Sequence, residues 1–385
     1  MLFRSQKGIN LLKDGPPCLE LVHLYEEAAS LYMHAGDNML AIYASEKALR
    51  LAETLGEARA ASRAHGIFGR VFGRIGDTAK ARENLERAVA LARDSDAGET
   101  VLALLALGHS LEHSEGDYEA AEACYREALS LAERIGDVPA QIELQSALAQ
   151  LAVYRCDWEE ARLAGDAGAE LAEREGLIGK LCLSNTLRGL LAWRDGDFEE
   201  SMRLFEKGHE LAEQVGWSEV SLSSLLGLAV TQRDSGDLPA AEETLGRALA
   251  VCERAGLIPQ SIRVLAATAL VCALAGREEQ AQEAAERAEE LATRVHDPVG
   301  QACALEARGV VAEGPEAVEA LTQARGAWEQ LGRRLDVARC DMLLGRSLRE
   351  HDPAAASETL ARAAAAYDEL GFAHLAERSR ELVAA

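Results

Sequence analysis

"GDYEAAEACYREALSLAERIGD", residues 116–137, begins and ends with the same Gly-Asp dipeptide. Between the two dipeptides, apolar residues recur at spacings of three and four from Ala121 to Ala132, and Glu and Arg occupy the opposite face. This spacing predicts an amphipathic helix over residues 118–135. Gly favours the left-handed conformation that ends a helix, and Asp can cap the free N–H groups of the next helix. The stretch therefore predicts one helix with a stop-and-start signal on each side.

The signal belongs to a repeat of 40 residues. Gly precedes Asp in five of the six members of one column, which is Asp37, Asp77, Asp117, Asp157, Asp197 and Asp237. A column of small residues runs in register with it, namely Ala41, Ala81, Ala121, Ala161, Ser201, Ala241 and Ala281. Residues 99–115, "ETVLALLALGHSLEHSE", are apolar over most of the circumference, which is typical of a helix packed between neighbours. Each repeat is thus predicted to be an antiparallel helix pair that stacks on the next pair.

Composition limits the functions that the chain can have. The sequence contains 40 Lys and Arg against 64 Asp and Glu, a formal net charge of -24, which argues against nucleic-acid binding but leaves a local basic patch open. No apolar run approaches the roughly 18 residues of a membrane span, and the N-terminal residues do not resemble a signal peptide. We expect a cytoplasmic protein. The eight cysteines lie singly in apolar helical patterns, which predicts neither a disulfide framework nor a zinc site.

No catalytic motif is found. The sequence lacks Walker A, H-E-x-x-H and G-x-S-x-G patterns, which predicts a protein that is not an enzyme and needs no cofactor. The Gly-rich stretch "GIFGRVFGRIG", residues 66–76, lies in a helical pattern, so its glycines are expected to allow close helix packing. His109 and His113 are four residues apart and could face one way, but packing is the favoured interpretation and no metal site is predicted.

Three stretches resemble the tetratricopeptide repeat: "GDYEAAEACYREAL" at 116–129, "CDWEEARLAGDAGAEL" at 156–171 and "GDFEESMRLFEKGHEL" at 196–211. The small residue of the first helix in that family is matched by Gly69, Ala149, Gly189, Ala229, Ala269 and Gly309. The repeat is longer than the family's usual length of about 34 residues. With "LAERIGD" and the ending "YDELGFAHLAERSRELVAA", the long form looks like the helical repeats that follow ATPase modules in bacterial transcription regulators and nucleotide cyclases.

The resemblance implies an all-α fold, a right-handed superhelical solenoid of about nine antiparallel helix pairs with a C-terminal capping helix. We expect residues 1–18 to be a lead, interpreted as the stub of a preceding helix. Residues 19–297 are expected to form the regular repeats. Residues 298–385 are expected to form irregular repeats and the cap, continuous with the rest.

The resemblance also implies that first helices line a concave groove. Six of them hold ten Lys and Arg against seven Asp and Glu, whereas the matching second helices hold 14 against 27. The residues predicted to bind a partner in the groove are Arg63, Arg70, Arg74, Gln150, Tyr154, Trp193, Arg194, Arg233 and Arg263. Arg and Trp are typical anchors at interfaces, and Arg suits carboxylates. The hypothesis is a groove for an acidic, partly apolar peptide; the alternative is that these arginines pair with Glu on neighbouring helices.

The resulting prediction is a non-catalytic scaffold that binds a protein or peptide. One alternative is a regulatory or sensor module of a larger or associated ATPase, nucleotide cyclase or transcription regulator. Another is an accessory protein that presents a peptide to a partner enzyme. Self-association through the terminal helix pairs is compatible with each of these.

Overall fold

The chain folds into helices, as predicted. The structure, a computed structural model, describes residues 2–384, so Met1 and Ala385, at the outer ends of the predicted lead and cap, lie outside it. Within residues 2–384 there are twenty α-helices, one π-helical turn and one 3-10 turn, and no strand. Helices α1 (Leu2–Leu12) and α20 (Ala373–Ala384) flank nine consecutive antiparallel helix pairs.

Each pair consists of a first helix and a second helix. The first helices are α2 (Leu19–His34), α4 (Ala58–Ile75), α6 (Ala97–Ser110), α8 (Val138–Arg155), α10 (Leu181–Arg194), α12 (Ser218–Ser235), α14 (Ile258–Leu274), α16 (Pro298–Val311) and α18 (Arg334–Leu348). The second helices are α3 (Asn38–Leu55), α5 (Thr78–Arg93), α7 (Tyr118–Ile135), α9 (Trp158–Arg174), α11 (Phe198–Val215), α13 (Leu238–Ala255), α15 (Glu278–Arg294), α17 (Gly314–Gln330) and α19 (Pro353–Glu369).

The Gly-Asp dipeptides end one helix and begin the next. Gly116 has a φ of 67°, and Asp117 Oδ1 accepts a hydrogen bond from the backbone N–H of Ala120 at 3.1 Å. Aspartates of the same column cap α3, α5, α9, α11 and α13 in the same way. Cys156 stands where the column otherwise has Gly and takes a φ of 60°, the left-handed region that costs an L-residue free energy.

The small residue of the first helix makes room for a bulky residue of its second helix. A Cβ atom on Gly309 would lie 2.6 Å from Leu321 Cγ, and one on Gly345 would lie 2.5 Å from Leu360 Cγ. Such distances are too short for two carbon atoms, so the helices of these pairs can approach this closely only if the first helix has no side chain there. The small residue of the first helix therefore allows close packing within the pair.

The described residues form two compact units. Unit 1 comprises the residues up to 147 together with 252–259 and 295–297. Unit 2 comprises 148–251, 260–294 and the residues from 298 onwards. The boundaries at residues 18 and 297 that the sequence suggests stay a prediction. None of the helices within residues 2–384 is both long and apolar enough to cross a bilayer.

Unit 1 has an alanine-rich core to which two distant turns attach. Val22, Ala29 and Ala64 are fully buried in this core. Asn38 Nδ2 donates to the carbonyl of Gly256 at 3.1 Å. Thr78 Oγ1 donates to the carbonyl of His296 at 3.0 Å. Polar side chains at the start of α3 and α5 therefore hold the turns that follow α13 and α15.

In unit 2, a short stretch near the chain end packs against helices far earlier in the sequence. We call residues Leu370–Ala376 the C-terminal segment. Its Phe372 is fully buried, with ring centroids 5.5 Å from Trp158 and 4.8 Å from Trp193. Trp158 Nε1 also donates to the carbonyl of Leu370 at 2.9 Å. The C-terminal segment is thus part of an aromatic cluster with α9 and α10.

Candidate functional site

The predicted groove residue Arg63 lies in unit 1, in a ladder of opposite charges on three successive first helices. Its Nε and Nη2 donate to Glu99 Oε1 at 2.8 and 2.6 Å, and Nη1 lies 3.7 Å from Glu26 Oε2. Arg59 Nε donates to the same oxygen of Glu99 at 3.0 Å. The positive charge of Arg63 is therefore met by carboxylates of the same chain, as the internal-pairing alternative expects.

Glu26 is the least satisfied member of that ladder. It is buried, and among the described residues its Oε1 has no hydrogen-bond partner. Burial raises the pKa of Glu26 to about 7, although the charge of Arg63 acts to lower it. Sequence reasoning missed both Glu26 and Glu99. The sequence did contain one indication of this ladder. Glu99 follows Arg59 by one repeat of 40 residues, so residues of opposite charge occupy equivalent positions in adjacent first helices.

The other two predicted residues of unit 1 have different surroundings. Arg74 is buried, and its Nη1 donates to the carbonyls of Met33 at 2.8 Å and Ala255 at 3.0 Å. Arg74 therefore joins the end of α2 to the end of α13, which is a structural role. Arg70, one turn earlier on α4, is exposed. Of the three arginines, Arg70 is the most exposed to solvent.

In unit 2, the predicted anchors Trp193 and Arg194 are engaged within the chain. Trp193 is 9% exposed, and its Nε1 donates to Asp234 Oδ2 at 2.9 Å. Arg194 Nε donates to Asp195 Oδ1 at 2.7 Å, and its guanidinium lies 5.3 Å from the centroid of Trp158. The C-terminal segment covers the indole rings of both tryptophans. A partner that used Trp193 as an anchor would have to displace this segment.

The remaining predicted residues of unit 2 are Tyr154, Arg233, Gln150 and Arg263. The guanidinium of Arg333 stacks 4.1 Å from the centroid of Tyr154. Arg233 Nε donates to Asp234 Oδ1 at 2.8 Å. Gln150 and Arg263 are half-buried. The structure brings Arg233 together with Trp193 through the shared carboxylate of Asp234.

A buried ion network that sequence reasoning missed links α16 to α18. Arg339 donates to Glu306 from Nε at 2.6 Å and from Nη2 at 2.8 Å, a two-pronged pair. Its Nη1 donates to Asp336 Oδ1 at 2.6 Å. Trp328 Nε1 donates to Glu306 Oε2 at 3.1 Å. Arg339 and Arg333 hold the pKa of Asp336 below its ordinary value despite its burial. Because every charge has a partner, this network can hold two helices together at fixed spacing.

Three arginines near the chain end were also missed. Arg346 directly follows the small residue Gly345, so it is the register equivalent of Arg70 and Gln150. Arg349 is then the equivalent of Trp193 and Arg233. This shared register position could have identified the two arginines from the sequence. It was overlooked because the repeats after residue 298 are shorter than 40 residues, so Gly345 does not fall on the 40-residue step. The third arginine, Arg378, lies on α20.

The structure assembles no metal site around the two histidines. The rings of His109 and His113 stack with centroids 6.0 Å apart, and the ring of Tyr125 lies edge-on to His109 at 5.6 Å. Tyr125 donates its hydroxyl proton to the buried Glu112 at 2.6 Å. Within residues 2–384 no three His, Cys, Asp or Glu side chains are grouped so that they could hold a metal ion.

Comparison with known proteins identifies the repeat. A tetratricopeptide repeat family model matches residues 20–94, 99–174 and 181–254. A Rap protein complexed with competence and sporulation factor is 12% identical and superposes with a TM-score of 0.62, over 95% of this chain and 97% of its own. Aspartyl phosphate phosphatase F from Bacillus subtilis is 13% identical, with a TM-score of 0.53 over 96% of each chain.

A third similar structure is the Rap conjugation gene regulator of the plasmid pLS20 in complex with a peptide. It is 13% identical, with a TM-score of 0.59 over 94% of this chain and 97% of its own. A search of curated protein sequences finds no match. At these identities the structural likeness shows the fold alone. The family model covers more than half of the residues, and the chain belongs to the tetratricopeptide repeat family.

Proposed function

We propose that the chain is a non-catalytic scaffold that binds a protein or peptide through its first helices. The observation that carries this proposal is the sorting of charge between the two kinds of helix. First helices carry accessible arginines such as Arg70 and Arg346, whereas second helices carry a large excess of Glu. Two of the similar structures, the Rap protein and the conjugation gene regulator, hold a bound factor or peptide, which supports the proposal by analogy of fold.

The proposal is tested with an array of peptides of about 15 residues that covers acidic, basic, neutral and apolar sequences. Hits are measured again in solution by fluorescence anisotropy. The expected result is saturable binding of one sequence class, weakened by Arg70→Glu or Arg346→Glu. A charge reversal at Arg50, exposed on α3 and paired with Glu46 on the same helix, is the matched control and should have no effect. Absence of saturable binding by every class would contradict the proposal.

A second candidate is a regulatory module, because one of the similar structures is that of a gene regulator. In this case the bound segment would belong to a regulated protein, and binding would change the activity of that protein. Measuring the partner's activity with and without the purified chain separates this candidate from a passive scaffold. An unchanged activity at saturating concentration would exclude regulation of that partner.

A further inference from the structure

Arg346, Arg349 and Arg378 lie together in unit 2 and are named here the arginine surface. Arg346 lies in the last turn of α18, and Arg349 directly follows the last residue of that helix with helical backbone angles (φ -56°, ψ -39°), so the two residues share one side. Arg378 lies on α20, and its Nη1 is 4.0 Å from Asp234 Oδ1. The side chain of Arg378 is 40% exposed and Arg346 is also exposed, so a partner can reach both guanidinium groups.

The arginine surface lacks the carboxylates that accompany most other arginines of this acidic chain. Among residues 2–384, Arg346 and Arg349 have no Asp or Glu oxygen within 4 Å, and the contact of Arg378 with Asp234 is at that limit. Partial burial and the charges of Arg378 and Arg349 lower the pKa of Arg346. These guanidinium groups therefore repel one another, which disfavours their close placement unless an anion joins them.

Glu350 and Glu377 are sequence neighbours of Arg349 and Arg378, but within residues 2–384 neither forms an ion pair with the arginine surface. Asp234 already accepts hydrogen bonds from Arg233 at 2.8 Å and from Trp193 at 2.9 Å. His374 lies one turn before Arg378, and its burial lowers its pKa, so it is neutral at pH 7. The surface keeps a local positive charge within a chain of net charge -24.

We propose that the arginine surface binds the side-chain carboxylates of an acidic peptide segment; this deepens the proposed function and rests on it. A guanidinium group donates two parallel hydrogen bonds to a carboxylate, so three of them can select a peptide with several Asp or Glu residues. Arg346 and Arg349 occupy the register positions where the family resemblance places partner-binding residues. Nucleic acid fits less well, because the acidity of the whole chain opposes a long polyanion.

The test uses a fluorescein-labelled 12-residue peptide of alternating Glu and Gly, with a Gln-Gly peptide of equal length as the neutral probe. Binding to the full chain is followed by fluorescence anisotropy. We expect the Glu peptide to bind, the Gln peptide to bind at least about tenfold more weakly, and the affinity for the Glu peptide to fall with salt. The double variant Arg346→Glu/Arg349→Glu should weaken binding of the Glu peptide at least about tenfold.

The matched control is Arg203→Glu on the second helix α11 of the same unit. Arg203 is 62% exposed and pairs with Glu200 on its own helix. Its charge reversal should leave binding within about twofold, because surface pairs contribute little. Equal loss in the control and in the double variant would overturn the inference, since the Glu peptide would then sense only net charge.

Further outcomes would also overturn the inference. The first is equal affinity of the wild-type chain for the Glu and Gln peptides. The second is complete displacement of the Glu peptide by equimolar inorganic phosphate, which would mark a site for a small anion. The third is tighter binding of a single-stranded dT oligonucleotide than of the Glu peptide. If neutral or basic peptides of the array bind while the Glu peptide does not, the inference fails and the proposed function stands.

A stability measurement separates partner binding from a structural role. Arg346→Gln removes one of the repelling charges, so we expect the thermal midpoint to rise by about 1 °C while binding of the Glu peptide weakens. A structural role would lower both quantities. A lowered midpoint together with lost binding would therefore overturn the assignment of Arg346 to the arginine surface.

Discussion

Phe372→Ala should release α20 from unit 2. The Phe372 side chain is fully buried between Trp158, Trp193 and Tyr367. Truncating a buried Phe to Ala costs about 3–5 kcal/mol. Because Phe372→Ala also removes aromatic pairs, we expect its cost to lie in the middle of that range or above. Helix α20 has only 12 residues, which is too short to be stable in water without packing partners. The protection of its amides therefore depends on the docking of Phe372.

The assay is hydrogen exchange of the full chain, read by mass spectrometry over residues 373–384. A loss of about 4 kcal/mol in the free energy of local opening corresponds to a roughly thousandfold faster exchange. The control is Leu163→Ala on α9, where the side chain is 56% exposed and truncation should change stability by less than about 0.5 kcal/mol. An increase below tenfold for Phe372→Ala, or an equal increase for Leu163→Ala, would show that the docking of Phe372 does not hold α20 in place.

Four further substitutions, in three experiments, test the energetics of the repeats. The raised pKa of Glu26, about 7 against an ordinary 4.5, means that its stabilising contribution is full below pH 4.5 and is lost as pH rises through 7. Glu26→Gln should therefore raise the free energy of unfolding by about 3 kcal/mol at pH 8 and leave it unchanged at pH 4. The measurement is urea unfolding at the two pH values, and an equal effect at both would contradict this expectation. Cys156→Gly should raise the free energy of unfolding by about 1 kcal/mol, because Gly adopts a φ of 60° without strain. A lowered thermal midpoint of this variant would show that backbone strain at Cys156 is not the dominant effect. Gly345→Ala should destabilise the chain by about 1–3 kcal/mol, because its Cβ atom would clash with Leu360 on α19. Gly326→Ala on α17, where no atom lies within 4 Å of the added Cβ, should stabilise the chain by about 1 kcal/mol. Both variants are measured by thermal unfolding, and a change of stability in the same direction for both would contradict the packing argument.

The helix pairs could be predicted from the sequence because their signals are local. Gly116 ends one helix and Asp117 caps the next within two residues, and the 40-residue period repeats that arrangement. Small residues of the first helices, such as Gly69, likewise stand where a bulky residue of the second helix approaches. These features depend on backbone conformation and side-chain volume at one position. They need no knowledge of distant parts of the chain.

The candidate site could be predicted only as a set of register positions. The pairing of Arg63 with Glu99 joins different repeats, and the burial of Trp193 by Phe372 joins residues 179 positions apart. No local pattern encodes such contacts, so exposed and engaged arginines look alike in the sequence. The arginine surface was hidden for a second reason. The shorter repeats after residue 298 move Gly345, the marker of its column, out of the 40-residue step.

We propose that the first helices of this repeat chain bind a partner while the acidic second helices remain free. Hydrogen exchange of the chain, measured with and without saturating Glu-Gly peptide, distinguishes the two kinds of helix. We expect slower exchange in α18 and α20 on binding and no change in the second helix α11. Slower exchange confined to second helices, or no change anywhere while anisotropy shows the peptide bound, would exclude binding through the first helices.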